Sequence, residues 1–253
     1  MTLTYAAVVA EAERHLALKA LPLRHPFGHE VRLRHEAALA DAMEAALRSV
    51  FRDLRERLEA EVELDPYPAP APRWLRKAIW DMFADDPWWA GIQERLRRGL
   101  AAQALAIVLD GGRDAEALVG YGVEWGKVDP KLLAFTDRYT HAWVKKLTET
   151  RRAGLIEALK AWQQGGLGTR GMPDLVRAIA PLFTRESAER IAVTETTRLY
   201  AEGNLAAWRE IEGIAMVEVA TAEDELVCQI CRTLNGKRWP KNKPLHVPPF
   251  HVG

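Results

Sequence analysis

Cysteine is almost missing from this chain, with two in 253 residues, Cys228 and Cys231. Their C-x-x-C spacing points to a metal or redox role more than to a structural disulfide. Net charge is missing too, because 35 basic side chains face 35 acidic ones. The protein as a whole therefore makes no strong electrostatic claim on DNA or on an anionic membrane, and any such claim must be local. Long apolar runs are absent. The greasiest stretch, Leu100 to Leu109, includes Gln103 and falls far short of the ~20 residues a membrane span needs. The first fifteen residues lack a basic run before their apolar ones and carry Glu11 and Glu13, against a secretory signal. A soluble chain made in the cytosol, with no membrane partner, is the expectation.

Catalytic signatures are lacking as well. Gly166, Gly168 and Gly171 spell a formal G-x-G-x-x-G, but a helical pattern precedes it where a dinucleotide site needs a strand, so the loop reads as an inter-helix hinge. His25, His29, Glu30 and His35 invite a metalloprotease reading, yet the second histidine of H-E-x-x-H is missing, and solvated helix-start residues are expected instead. No nucleophile elbow, P-loop or separated Ser/His/Asp context occurs. No catalytic residue is assigned, and the chain is not expected to be an enzyme.

What the chain does have is helical pattern. Apolar residues make up 48% of it, enough at this length to bury a core. Leu39, Met43, Leu47, Val50, Leu54, Leu58 and Val62 recur at three and four residue spacings, predicting an amphipathic helix over 30–64, roughly 50 Å long. The run Asp65-Pro66-Tyr67-Pro68-Ala69-Pro70-Ala71-Pro72 is a stiff connector. Asp86-Pro87 and Asp129-Pro130 each read as an acidic cap followed by a first-turn proline, so helices are predicted to begin at Pro87 and Pro130. The Gly111-Gly112 pair is expected to close the first, and a short helical segment to precede Asp129. A helix to Gln164, the glycine loop, a helix from Pro173 to Leu182 and, capped by Thr184, one from Arg185 to Glu212 follow. The tryptophans, among them Trp80, Trp88, Trp89 and Trp143, sit among Leu and Ala and read as packing groups. Only after Gly213 does the pattern change, to a short strand within 215–221 and a turn-rich tail with Asn235-Gly236 and Pro248-Pro249.

That tail carries the only ligand pattern. Cys228, Cys231, His246 and His251 read C-x2-C-x14-H-x4-H, within the spacing window of a tetrahedral site. Sulfur with imidazole nitrogen suits zinc over magnesium or calcium. The prolines between the histidines exclude the finger helix that enters a DNA groove, so a metal here would staple a loop, and unliganded thiols remain the other reading. Five basic residues, Arg232, Lys237, Arg238, Lys241 and Lys243, lie between Leu226 and Gly253 with no acidic one. Such a patch either contacts phosphates without sequence preference or is a solvated loop.

An ordered set of residues over the last third resembles a known family. It runs from the glycine loop and short helix, Gly168 to Phe183, through Ser187 to Glu195, then Arg198, Tyr200, Gly203-Asn204 and Trp208. Val219-Ala220-Thr221-Ala222-Glu223-Asp224, Val227 to Cys231, Leu234-Asn235-Gly236-Lys237 and Pro248-Pro249-Phe250-His251 complete it. The set is similar to the head-morphogenesis domain of tailed-phage minor head proteins, the Mu F-like family. The family often has arginine where this chain has Val193, and a Cys-Arg-Cys two residues after the histidine, where this sequence stops at Gly253. A continuation beginning with cysteine is therefore expected, and the fourth ligand is either His246 or a cysteine beyond Gly253.

The resemblance implies a minor head protein of the virion, made in the host cytoplasm and placed inside the capsid near the portal. Its implied partners are the portal protein and the major capsid or scaffolding protein, with packaged double-stranded DNA as a further contact. Glu195 and Arg198 are expected to orient the C-terminal module. The alternatives are a zinc-stapled nucleic-acid-binding module and a phage-derived toxin or enzyme. The expected fold is mainly α with a small α+β C-terminal module: a helical arm over 1–64, a helical region over 65–164, and a head-morphogenesis-like domain over 165–253 ending in a Cys/His loop.

Overall fold

The computed structural model describes residues 28–60, 73–163, 172–221, 229–243 and 248. They are mainly helical with one small two-stranded antiparallel sheet. Among them no helix is long and apolar enough to cross a membrane.

Helix α1, His29–Ala60, follows the predicted stripe: Leu39, Met43, Leu47, Val50, Leu54 and Leu58 are all buried. Gly28, with φ of +73°, turns the chain in, and its carbonyl accepts the Arg32 N–H at 2.9 Å. The outer face is laced by i,i+4 pairs such as Arg48 with Glu44 at 2.5 Å and Arg55 with Glu59 at 2.6 Å. Residues 61–64 and the proline connector lie outside the described residues.

Helices α2, Arg73–Ala84, and α3, Asp86–Val119, meet at Asp85. The predicted cap is corrected by one residue. Asp85, not Asp86, accepts the Trp88 N–H on its side chain at 3.2 Å, and its carbonyl accepts the Trp89 N–H. Pro87 therefore sits at the second helical position, where a missing N–H still has no intrahelical partner to lose. Arg152 clamps this corner, donating from Nε to the Phe83 carbonyl and from Nη2 to the Ala84 carbonyl, both at 2.9 Å. Its Nη1 reaches Asp86 at 2.6 Å.

Two further helix boundaries differ from the sequence reading. The Gly111-Gly112 pair does not close α3, which continues to Val119. The pair is a contact surface for a neighbouring helix. Pro130 does not open a helix but lies inside α4, Trp125–Gln163. Glu116 explains the early start: one carboxylate oxygen accepts the Val123 N–H at 2.7 Å and the other the Trp125 indole N–H at 2.9 Å. The loop is thereby held so that the helix begins at Trp125, which places Pro130 in its second turn.

Helix α5, Met172–Ile179, passes into a 3-10 turn, Ala180–Phe183. Thr184 then caps α6, Arg185–Glu210, accepting the Ser187 N–H at 3.3 Å as the sequence predicts. Strand β1, Met216–Glu218, pairs antiparallel with β2, Arg238–Pro240, in the register Met216 to Pro240, Val217 to Trp239 and Glu218 to Arg238. A short helix the sequence did not announce, α7, Gln229–Leu234, lies between them in the chain.

The chain divides into two compact units. The first comprises Met1–Glu36, Gln103–Thr136 and Val193–Gly253, and the second Ala37–Ala102 and Asp137–Ala192. In the second, the buried face of α1 shares a core with Ile79, Phe83, Trp89, Ile92, Leu155, Leu159 and Trp162. Phe51 and Phe183 stack at 5.5 Å within it. Each such fully buried aliphatic side chain contributes about 1.5–3 kcal/mol. Trp89 and Trp143 are buried packing groups as expected, while Trp80 is 40% exposed and is not part of the core.

Candidate functional site

In the first unit, the C-terminal part of α6 carries the tail. Gly203 makes this possible. With only hydrogen at Cα, α6 approaches α3 until an added Cβ would stand 2.0 Å from the Val108 carbonyl oxygen and 2.9 Å from the Gly112 nitrogen. Gly111 is matched to the Tyr200 backbone in the same way. Trp208, one turn on, donates its indole N–H to the Ala115 carbonyl at 3.2 Å. Tyr200 donates its hydroxyl to Asp114, beneath Gly28. Burial, then this bond, push the phenol well above its ordinary range. His35 shares a hydrogen bond of 3.0 Å with Asp110, so it is a packed partner rather than the solvated helix-start residue expected.

The sheet is fastened to the end of α6 by two reciprocal bonds. Lys241 donates Nζ to the Ile211 carbonyl at 2.6 Å, and Arg209 donates Nε to the Lys241 carbonyl at 3.1 Å. A cation at a helix C-terminus meets carbonyls with no intrahelical donor and the negative end of the dipole. Asn235-Gly236 forms the predicted turn. Gly236 has φ of +74° and donates to the Val219 carbonyl at 2.8 Å, while the Asn235 side chain accepts the Thr221 N–H at 2.9 Å.

The five basic residues fall into different environments. Arg238 is bonded across the sheet to Glu218 at 2.6 Å, and Lys241 is the half-buried tie just described. Arg232, Lys237 and Lys243 are exposed. Glu195 and Arg198 form an i,i+3 pair at 3.8 Å, with Glu195 only 8% exposed. Glu202, one turn further along α6, is held above the usual carboxylate range by burial, against the opposing pull of Arg209 and Arg198.

Of the expected metal ligands, Cys231 is half-buried on α7. Cys228, His246 and His251 lie outside the described residues. Among the described residues no group of three or more His, Cys, Asp or Glu side chains is placed to hold a metal ion.

Sequence reasoning did not anticipate the helix crossing made by Gly111, Gly112 and Gly203 or the bonds of Asp114 and Glu116. Glycine in an otherwise helical pattern reads equally well as a helix end, and the two carboxylates carry no local signal. Comparison with protein-family models, with curated proteins and with solved structures finds no match to the chain.

Proposed function

We propose that this chain is a minor head protein of a tailed phage, acting in head morphogenesis by docking on the portal vertex rather than by turnover. The observation that carries the reading is the ordered residue set from Gly168 to His251. The manner in which the tail is fastened supports it. The glycine crossing and the Lys241 and Arg209 bonds hold a small sheet on the end of a long helix, an arrangement suited to presenting a surface.

In this reading Cys228 and Cys231, with His251 and His246, hold a structural zinc. Two thiolates at C-x-x-C spacing with imidazole nitrogen form a donor set that fits that ion. The metal would supply a crosslink to a segment with little core of its own. Glu195 and Arg198 orient the module, and a Glu195→Ala protein with unchanged melting and assembly would remove that role. The protein resides in the capsid interior near the portal, with the major capsid or scaffolding protein as a second partner. Packaged duplex DNA is contacted through Arg232, Lys237, Arg238, Lys241 or Lys243.

The deciding experiment is capture of the portal protein encoded by neighbouring genes, using this chain as bait, together with elemental analysis for zinc. Portal capture with about one zinc per chain is the expected result. Duplex binding with a steep salt slope and no portal capture would replace the reading with that of a nucleic-acid-binding module.

A further inference from the structure

Asparagine is scarce in this chain, at Asn204, Asn235 and Asn242, and the residues that follow are Leu205, Gly236 and Lys243. The side-chain amide of an asparagine is open to attack by the main-chain nitrogen of the next residue. Glycine, lacking Cβ, is the follower that crowds that nitrogen least and bends most freely towards the amide. Asn235 is therefore the chemically weakest asparagine of the sequence. Gly236 is also exposed, with nothing within 4 Å of where a Cβ would stand, so water and hydroxide reach this turn directly.

The fold engages both reacting groups elsewhere. The Gly236 nitrogen, which would attack, donates its proton to the Val219 carbonyl at 2.8 Å. The Asn235 side-chain oxygen, on the carbon that would be attacked, accepts the Thr221 N–H at 2.9 Å. Val219 and Thr221 follow β1 in the chain, and Val219 returns a second bond by donating to the Lys237 carbonyl at 3.0 Å. Attack requires the Gly236 nitrogen to give up its proton and the amide to swing over it, and both moves break bonds that hold the β1 end of the chain to the turn. Protection thus depends on β1 staying paired with β2. Each strand has three residues, and a two-stranded sheet of that size opens locally at modest cost.

We propose that Asn235 is a deamidation site gated by the β1–β2 sheet, protected while the sheet is closed and converted irreversibly when it opens. In the open state the Gly236 nitrogen loses its proton to hydroxide and bonds to Asn235 Cγ. The Cγ–Nδ2 bond breaks, Nδ2 leaves as ammonia, and a five-membered succinimide remains. Water then opens the ring at either carbonyl. Cleavage at Cγ leaves an ordinary aspartyl link, and cleavage at the main-chain carbonyl leaves an isoaspartyl link with one more methylene in the backbone. The net change consumes one water and releases one ammonia, with no oxidant or reductant. The added methylene falls inside the turn that brings Gly236 back to Val219, so the isoaspartyl chain does not re-form that bond in register. The chemistry uses none of the proposed metal ligands and stands or falls separately from the head-protein reading.

The test is a time course of the full chain at mildly alkaline pH, in buffer and in unfolding guanidinium chloride, read by peptide mass mapping of all three asparagines. In denaturant, position 235 is expected to convert first. In buffer it should convert slower by about tenfold or more, since local opening against a single hydrogen bond already gives roughly that factor. Val217→Ala trims the buried side chain of β1 without touching the turn, and should bring the rate in buffer towards the rate in denaturant while far-ultraviolet circular dichroism keeps its helical signal. The isoaspartyl fraction, separated from the unmodified chain, should exchange the Gly236 and Val219 amide hydrogens faster. Equal rates at 235 in buffer and in denaturant, conversion of Asn204 or Asn242 ahead of Asn235 in denaturant, or unchanged exchange in the isoaspartyl fraction overturns the proposal.

Discussion

Gly203 on α6 and Val108 on α3 stand so close that a methyl group on the glycine would lie 2.0 Å from the valine carbonyl oxygen. No side-chain rotation relieves that overlap, since the obstructing atom is backbone. Gly203→Ala should therefore destabilise the protein by about 3 kcal/mol, although alanine is the better helix former by ~1 kcal/mol. The control is Gly99→Ala in the interior of the same α3, where an added Cβ meets nothing within 4 Å. It should stabilise by about 0.5–1 kcal/mol. Urea denaturation of both variants checks the pair, and equal effects would show that the crossing is looser than this geometry states.

Glu116 should behave as a connector rather than a surface acid. It accepts the Val123 N–H and the Trp125 indole N–H with its two oxygens, so Glu116→Ala leaves two donors to water or to nothing. The expected cost is about 1–3 kcal/mol, with a change in tryptophan emission as Trp125 is released. Glu116→Gln retains one acceptor oxygen and should lose about half as much. An unchanged denaturation midpoint in Glu116→Ala would mean that α4 starts at Trp125 for another reason.

These features mark where the sequence could be read and where it could not. The α1 stripe was legible because burial on one face imposes its period directly, and so were the Thr184 cap and the Asn235-Gly236 turn, which act within three residues of themselves. Gly111-Gly112 was misread because its partner, Gly203, lies in another helix far along the chain, and glycine has the same local signature at a crossing as at an end. Pro130 was misread for a related reason: Glu116 sets the start of α4 through side-chain bonds that no local rule anticipates. In the tail, the basic run was visible, but its division into an ion-paired Arg238, a half-buried Lys241 and exposed lysines depends on Glu218 and Ile211.

Glu202 should make the protein less stable at neutral pH than it would be with an uncharged residue there. Burial raises its carboxyl above the ordinary 4.5, and Arg209 and Arg198 offset this only in part. The folded state thus holds the proton more tightly than the unfolded one. The stabilising contribution of the protonated form is complete below pH 4.5 and is lost as pH rises through the folded-state value. Glu202→Gln is expected to raise the denaturation midpoint at neutral pH, with the advantage over wild type shrinking towards zero as the pH falls below 4.5. A constant difference across the range would mean that the group does not titrate differently on folding.

The basic residues of the tail should separate into two classes under mutation. Lys241 donates from a half-buried position to the Ile211 carbonyl just past the end of α6, a carbonyl that also accepts the Ile214 N–H, so Lys241→Met should cost about 0.5–1.5 kcal/mol by removing one of its two bonds. Lys237 and Lys243 are exposed, so Lys237→Ala and Lys243→Ala should change stability by less than ~0.5 kcal/mol. If the tail contacts duplex DNA, each of these two substitutions should instead lower the salt slope of binding by about one, a pattern that Lys241→Met would not share while the module stays folded. Measuring denaturation and salt-dependent duplex binding on the same three proteins resolves the question. Loss of slope from Lys241→Met alone, with the two exposed lysines silent, would place any DNA contact on the fastening of the sheet rather than on its exposed charge.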